Sequence, residues 1–106
     1  MKFTVYSKDN CKYCVMAKND LTEFVYKFGE KSKEKGLLDI IYIGSDFTVE
    51  DLKQKFFDLG LMPPKSVPCI FYKESADSDE VFIGGYSELN NFLNNLKEKL
   101  NADNKA

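Results

Sequence analysis

Cys11 and Cys14 stand three residues apart in Cys-Lys-Tyr-Cys, and that spacing serves two kinds of chemistry. One is reversible thiol-disulfide exchange, in which one sulfur attacks and its neighbour resolves the mixed disulfide. The other is half of a zinc site, because such a pair can supply two of the metal's four ligands. The rest of the chain separates the two. Structural zinc sites draw mainly on Cys and His, whereas this sequence has no histidine and only Cys69 as a further cysteine. A three-cysteine site completed by a carboxylate is the poorer alternative, so exchange chemistry without a metal is the expectation.

Exchange requires a particular setting for the two sulfurs. Residues 2–6 alternate polar and apolar types in a β-rich run, and residues 37–43 (Leu-Leu-Asp-Ile-Ile-Tyr-Ile) form a nearly continuous branched run of the kind used by central parallel strands. Between them Cys14, Ala17, Leu21, Phe24, Val25 and Phe28 recur at three- and four-residue steps, which defines one helical face, with Gly29 as its stop. The result is a βαβ unit with a parallel strand pair. Cys11-Lys-Tyr-Cys14 then opens the helix, where unpaired backbone N–H groups and the positive end of the helix dipole favour a thiolate. Lys8 and Lys12 add positive charge. Cys11 follows the polar Asp9-Asn10 pair and is expected to be the exposed, ionised attacker, while Cys14 on the apolar face is the resolver.

Downstream, Thr48-Val-Glu-Asp51 reads as a capping box opening a second helix with Leu52, Phe56 and Leu59 on one face and Gly60 as terminator. Pro63, Pro64 and Pro68 punctuate a loop, followed by two short strands, 69–72 and 81–83, around a polar turn. Ser87 is placed to cap a last helix carrying Leu89, Phe92, Leu93, Leu96 and Leu100, and residues 101–106 are expected to fray. The order β-α-β-α-β-β-α in 106 residues implies one α/β domain over 1–106, a single sheet with helices on both faces. Fifteen basic against seventeen acidic residues, a net charge of −2, give no footprint for nucleic acid or an anionic membrane. No segment reaches the roughly 18 to 20 apolar residues of a span, and no signal peptide is evident. A cytoplasmic, monomeric protein without a structural disulfide framework is the expectation.

Pro68 before the third strand, Gly84-Gly85 after the fourth and Ser87-Glu88 beyond are weak signals separately. A trans proline starting a strand is the ordinary reading of Val67-Pro68; a cis bond would free the Val67 backbone for a ligand. Taken in order with Val5-Tyr-Ser-Lys8 and the cysteine pair, with Gly36-Leu-Leu-Asp39, and with Ser66-Val-Pro-Cys-Ile-Phe71 and Ile83-Gly-Gly-Tyr-Ser-Glu-Leu89, the sequence resembles the glutaredoxins over roughly residues 3–97. The resemblance implies a thioredoxin-like fold, a four-stranded mixed sheet flanked by three helices. It also implies a glutathione-dependent thiol-disulfide oxidoreductase acting on protein disulfides and glutathionyl mixed disulfides, with glutathione as co-substrate and ribonucleotide reductase as a familiar client.

Residue by residue, the resemblance places Lys8 and Tyr13 near the glycine end of glutathione and Lys53 at its glycine carboxylate. The Val67 backbone would pair with its cysteinyl backbone beside a cis Pro68, Ser87 would meet its γ-glutamyl carboxylate, and Glu88 occupies the position next to its amine. Three residues depart from the common pattern: Lys12 replaces a proline, Ser66 a threonine and Glu88 an aspartate. Cys69 is expected to be a buried packing thiol. Two alternatives are a thioredoxin-type reductant recharged by a flavoprotein reductase and an iron-sulfur or metal scaffold. The absence of tryptophan speaks against the first, and the retention of Cys14 against the second.

Overall fold

The computed structural model describes residues 1–28, 37–44, 47–64 and 66–104. β1 (Lys2–Ser7) is the strand on which both layers are built, since every residue from Phe3 to Ser7 is buried. Side chains alternate between the faces of a strand. Phe3 and Val5 accordingly join one core cluster and Tyr6 another. Then come α1 (Lys12–Phe28), β2 (Leu37–Tyr42), α2 (Val49–Asp58), β3 (Cys69–Lys73), β4 (Val81–Gly84) and α3 (Tyr86–Asn104), in the order read from the sequence.

The sheet runs β2-β1-β3-β4. β1 is parallel to β2 and antiparallel to β3, and β4 is antiparallel to β3. A parallel pair needs a crossover, and α1 supplies it. On one face Ala17, Leu21 and Phe24 of α1 and Leu89, Leu93 and Leu100 of α3 pack on Phe3, Val5 and Ile70. On the other, Leu52 and Phe56 of α2 pack on Tyr6, Cys69 and Phe71. Phe56 meets Phe82 edge-on, with ring centroids 4.8 Å apart. The four-stranded sheet with helices on both faces is thus as expected.

The second helix starts as its sequence dictates: the Thr48 hydroxyl accepts from the Asp51 N–H at 3.0 Å and the Thr48 N–H donates to the Asp51 carboxylate at 3.3 Å. Its end differs from expectation, because Leu59 is the C-cap and is exposed, not packed on the face of Leu52 and Phe56. Gly60 closes the turn at φ 72°, a backbone state that glycine adopts without a Cβ clash. α3 begins at Tyr86, so Ser87 lies inside its first turn and is not the cap; the Glu88 carboxylate instead accepts the Gly85 N–H at 3.1 Å. The helix also runs on to Asn104, beyond the expected fraying point at residue 101. Gly29 as a helix stop and the charged stretch 29–36, Gly36 included, lie outside the described residues.

α2 is held mainly by Phe56, which is fully buried, whereas its neighbour Phe57 is 77% exposed. Phe56→Ala should cost about 3–5 kcal/mol of stability and Phe57→Ala less than about 0.5 kcal/mol, read from urea unfolding midpoints. Equal effects would contradict this packing of α2.

Candidate active site

β1 ends at Ser7, and the chain reverses through Asp9 and Asn10 before α1 begins at Lys12. Asn10 sits at φ 59°, a left-handed conformation that asparagine tolerates better than most side chains. The turn leaves Cys11 in the N-cap position. There its sulfur does what a capping oxygen ordinarily does, accepting the N–H of the third helical residue, Cys14, at 3.2 Å. The Val15 N–H donates to the Cys11 carbonyl at 3.2 Å and closes the first turn.

Cys11 and Cys14 are joined as a disulfide, with a Cα–Cα distance of 5.2 Å. Cys14 is buried and Cys11 half-buried, so Cys11 is the more accessible residue of the pair. The Val67-Pro68 peptide bond is cis, which overturns the ordinary trans reading and agrees with the resemblance. It lies immediately before β3, where Cys69 pairs with Tyr6 of the central strand. The Val67 carbonyl oxygen is 3.8 Å from the Cys11 sulfur.

Two cavities flank this junction. A groove of about 260 Å³ is lined by Tyr13, Ser66, Val67 and Pro68 on one side and by Gly85, Tyr86, Ser87 and Glu88 at the start of α3. A more basic cavity of about 430 Å³ is lined by Cys11 itself with Ser7, Lys8, Asn10, Lys12, Lys18 and Tyr42, and by Asp9. The structure therefore brings Tyr13, Val67, Pro68, Ser87 and Glu88 together and puts Lys8 in the other cavity, the one that Cys11 lines. Lys53 lines neither cavity: it is exposed on α2, with its ammonium 3.8 Å from Glu50. Glu88 is turned back onto its own helix start. A Cβ on Gly84 would come within 2.8 Å of the Glu88 side chain, at a backbone φ of 130°, so the approach of that side chain requires glycine there.

Sequence reasoning missed Tyr86 as a lining residue and Asp20 as its partner. The Tyr86 hydroxyl donates to the Asp20 carboxylate at 2.7 Å, and its ring lies 6.0 Å from that of Tyr13. The available signal was an aromatic residue at a helix start directly after Gly84-Gly85. Cys69 is a buried thiol, as expected; its Sγ–H points to the Ser66 carbonyl at 3.5 Å, and burial pushes its pKa up to about 11. Among the described residues no cluster of three or more metal-ligating side chains occurs, and no helix is long and apolar enough to cross a membrane.

Solved structures with the same fold include reduced Escherichia coli glutaredoxin, with a TM-score of 0.61 and 24% identity over 90% of this chain and 95% of that one. Glutaredoxin 1 from Francisella tularensis, in complex with cacodylate, gives a TM-score of 0.53 and 22% identity over 92% of this chain and 96% of that one. The chain has the glutaredoxin fold. No protein-family model and no curated protein matches the sequence.

The folded state raises the Cys69 pKa from about 9 to about 11, so it favours the neutral thiol. The stability this contributes is complete below pH 9 and is lost as the pH climbs through about 11. Cys69→Val should flatten that part of the alkaline loss, as measured by urea unfolding across the range. In the reduced, folded protein near neutral pH, iodoacetamide should modify Cys11 and leave Cys69 untouched until the chain is unfolded. Mass spectra showing Cys69 alkylated as fast as Cys11 would contradict its placement.

Proposed function

We propose that the protein is a glutathione-dependent thiol-disulfide oxidoreductase. The observation that carries this reading is the Cys14 N–H on the Cys11 sulfur at the start of α1, 3.2 Å away, with the Val67 carbonyl 3.8 Å from the same sulfur. In the dithiol form that donor and the helix dipole stabilise negative charge on the sulfur, which is the nucleophile of exchange. Cys14, one turn along and buried, has no route to a bulky substrate but faces Cys11.

Attack of the Cys11 thiolate on a glutathionyl-protein disulfide forms a bond to the glutathione sulfur and expels the protein as a thiolate, which takes a proton from water. A second glutathione thiolate then attacks the glutathione sulfur held on Cys11. Oxidised glutathione leaves and the Cys11 thiolate returns. With a protein disulfide, Cys11 first holds one client sulfur, and the Cys14 thiolate displaces the client as its dithiol. The Cys11–Cys14 disulfide so formed is then reduced by two glutathione molecules in turn, giving one oxidised glutathione; each cycle moves two electrons.

The groove suits an anionic γ-linked tripeptide. Val67 offers strand-like backbone groups beside the cis Pro68, and the unpaired N–H groups at the start of α3 around Ser87 offer a seat for a carboxylate. Tyr13, 56% exposed, supplies an apolar wall. Lys8, in the cavity that Cys11 lines, provides a counter-charge for the far end. Lys53 would serve only after leaving Glu50, and an exposed pair of that kind holds it weakly. Ribonucleotide reductase as a client rests on the resemblance; a cytoplasmic setting and a monomeric state, expected from the sequence, belong to the same proposal.

Cys14→Ser should keep deglutathionylation and lose most reduction of protein disulfides, while Cys11→Ser should lose both, in assays driven by glutathione and its reductase. Equal loss of both activities in Cys14→Ser would overturn the division of labour. Turnover with thioredoxin reductase in place of glutathione would favour the flavoprotein-recharged alternative.

A further inference from the structure

The wall of the groove at Tyr13 and Tyr86 is held from behind. Tyr86 follows Gly84 and Gly85, two residues without side chains, the first at φ 130°, and its ring packs against the core cluster of α1, α3 and the sheet. Its hydroxyl adds a second anchor. The hydroxyl reaches across from α3 to Asp20 in the middle of α1 at 2.7 Å, with the Asn90 side chain also facing it. The carboxylate beside it raises the hydroxyl's pKa, so the group stays a donor. With its far end fixed, the Tyr86 ring stands 6.0 Å from the Tyr13 ring at an interplanar angle of 32°, and both rings line the groove that also holds Val67, Pro68 and Ser87. Asp20 itself lies outside that groove, among the residues of a separate cavity between α1 and α3.

We propose that Asp20 is a positioning residue for substrate binding: its hydrogen bond locks Tyr86 against Tyr13 and so fixes the aromatic wall on which the glutathionyl moiety lies. The inference rests on reading the groove as the glutathione site. A hydrogen bond to a charged acceptor lying behind the wall acts on the shape of the groove and not on the sulfur, so its loss should appear in binding and leave the exchange step alone. A purely structural clamp between α1 and α3 would lower stability without that selectivity.

Steady-state deglutathionylation, with glutathione varied to saturation, tests this. Asp20→Ala and Tyr86→Phe should each raise the KM for glutathione or for the glutathionyl substrate about fivefold. They should change kcat less than about twofold and leave the Cys11 thiolate titration in place. The double variant should be no worse than either single one, because both remove the same bond. Asp20→Asn, whose amide oxygen still accepts from the hydroxyl, should restore most of the wild-type KM. Tyr86→Phe keeps the ring and removes one atom, so it remains informative if Asp20→Ala folds poorly. Unchanged KM values in Tyr86→Phe, or a loss falling equally on kcat, would overturn the positioning role while wild-type saturation with glutathione leaves the groove's reading intact. A wild-type protein that shows no saturation with glutathione and turns over equally with a simple dithiol would overturn that reading, and this inference with it.

Discussion

A helix leaves its first backbone N–H groups without partners inside the helix, and in this protein the one at Cys14 is given to a sulfur, 3.2 Å away on Cys11. Most of the structure serves to keep that sulfur at that spot. β1, one of the two inner strands, brings the chain to Ser7, paired with β2 on one side and β3 on the other, so its end cannot drift. α1 is pinned by Ala17, Leu21 and Phe24 against the sheet, which fixes the direction in which its first turn points. The Asn10 turn joins the two within a few residues. A softer strand or a loosely packed helix would leave the same two cysteines in the sequence and no defined acceptor for the Cys14 N–H.

Around this junction three separate parts of the chain converge. The cis Val67-Pro68 bond brings a carbonyl to within 3.8 Å of the Cys11 sulfur at the point where β3 enters the core. The start of α3 arrives from the far edge of the sheet, because β4 pairs with β3 and ends at Gly84, with Gly85 leading into the helix. Between these two segments lies the groove. The Glu88 carboxylate satisfies the Gly85 N–H at the start of α3 and is held there beside the groove. Buried Cys69, next to the cis proline, stays a neutral thiol, because burial raises its pKa.

The βαβ opening was legible because its patterns are local. The face of Cys14, Ala17, Leu21 and Phe24 repeats at helical spacing, and all four residues are buried. The Thr48 to Asp51 cap was legible for the same reason, being made by residues three apart. Ser87 misled because serine is a good cap by type; the geometry of Gly84 and the reach of Glu88 moved the helix start to Tyr86. Leu59 fits the helical period of Leu52 and Phe56, yet the helix ends before it can turn inward. The proline's cis state could not be read from propensity, where trans is the ordinary case. The Tyr86–Asp20 contact spans 66 residues of sequence, and neither residue's type announces it. Lys53 was carried over by resemblance alone, and in the structure its nearest charged partner is Glu50.

The central claim is that the start of α1 ionises Cys11. Titrating the reduced protein by its ultraviolet thiolate absorbance, with Cys11→Ser as the subtracted control, measures this directly. The account predicts a Cys11 pKa at least about one unit below the ordinary thiol value of about 8.5. A value at or above 8.5 would contradict it, however well the fold and the groove agree.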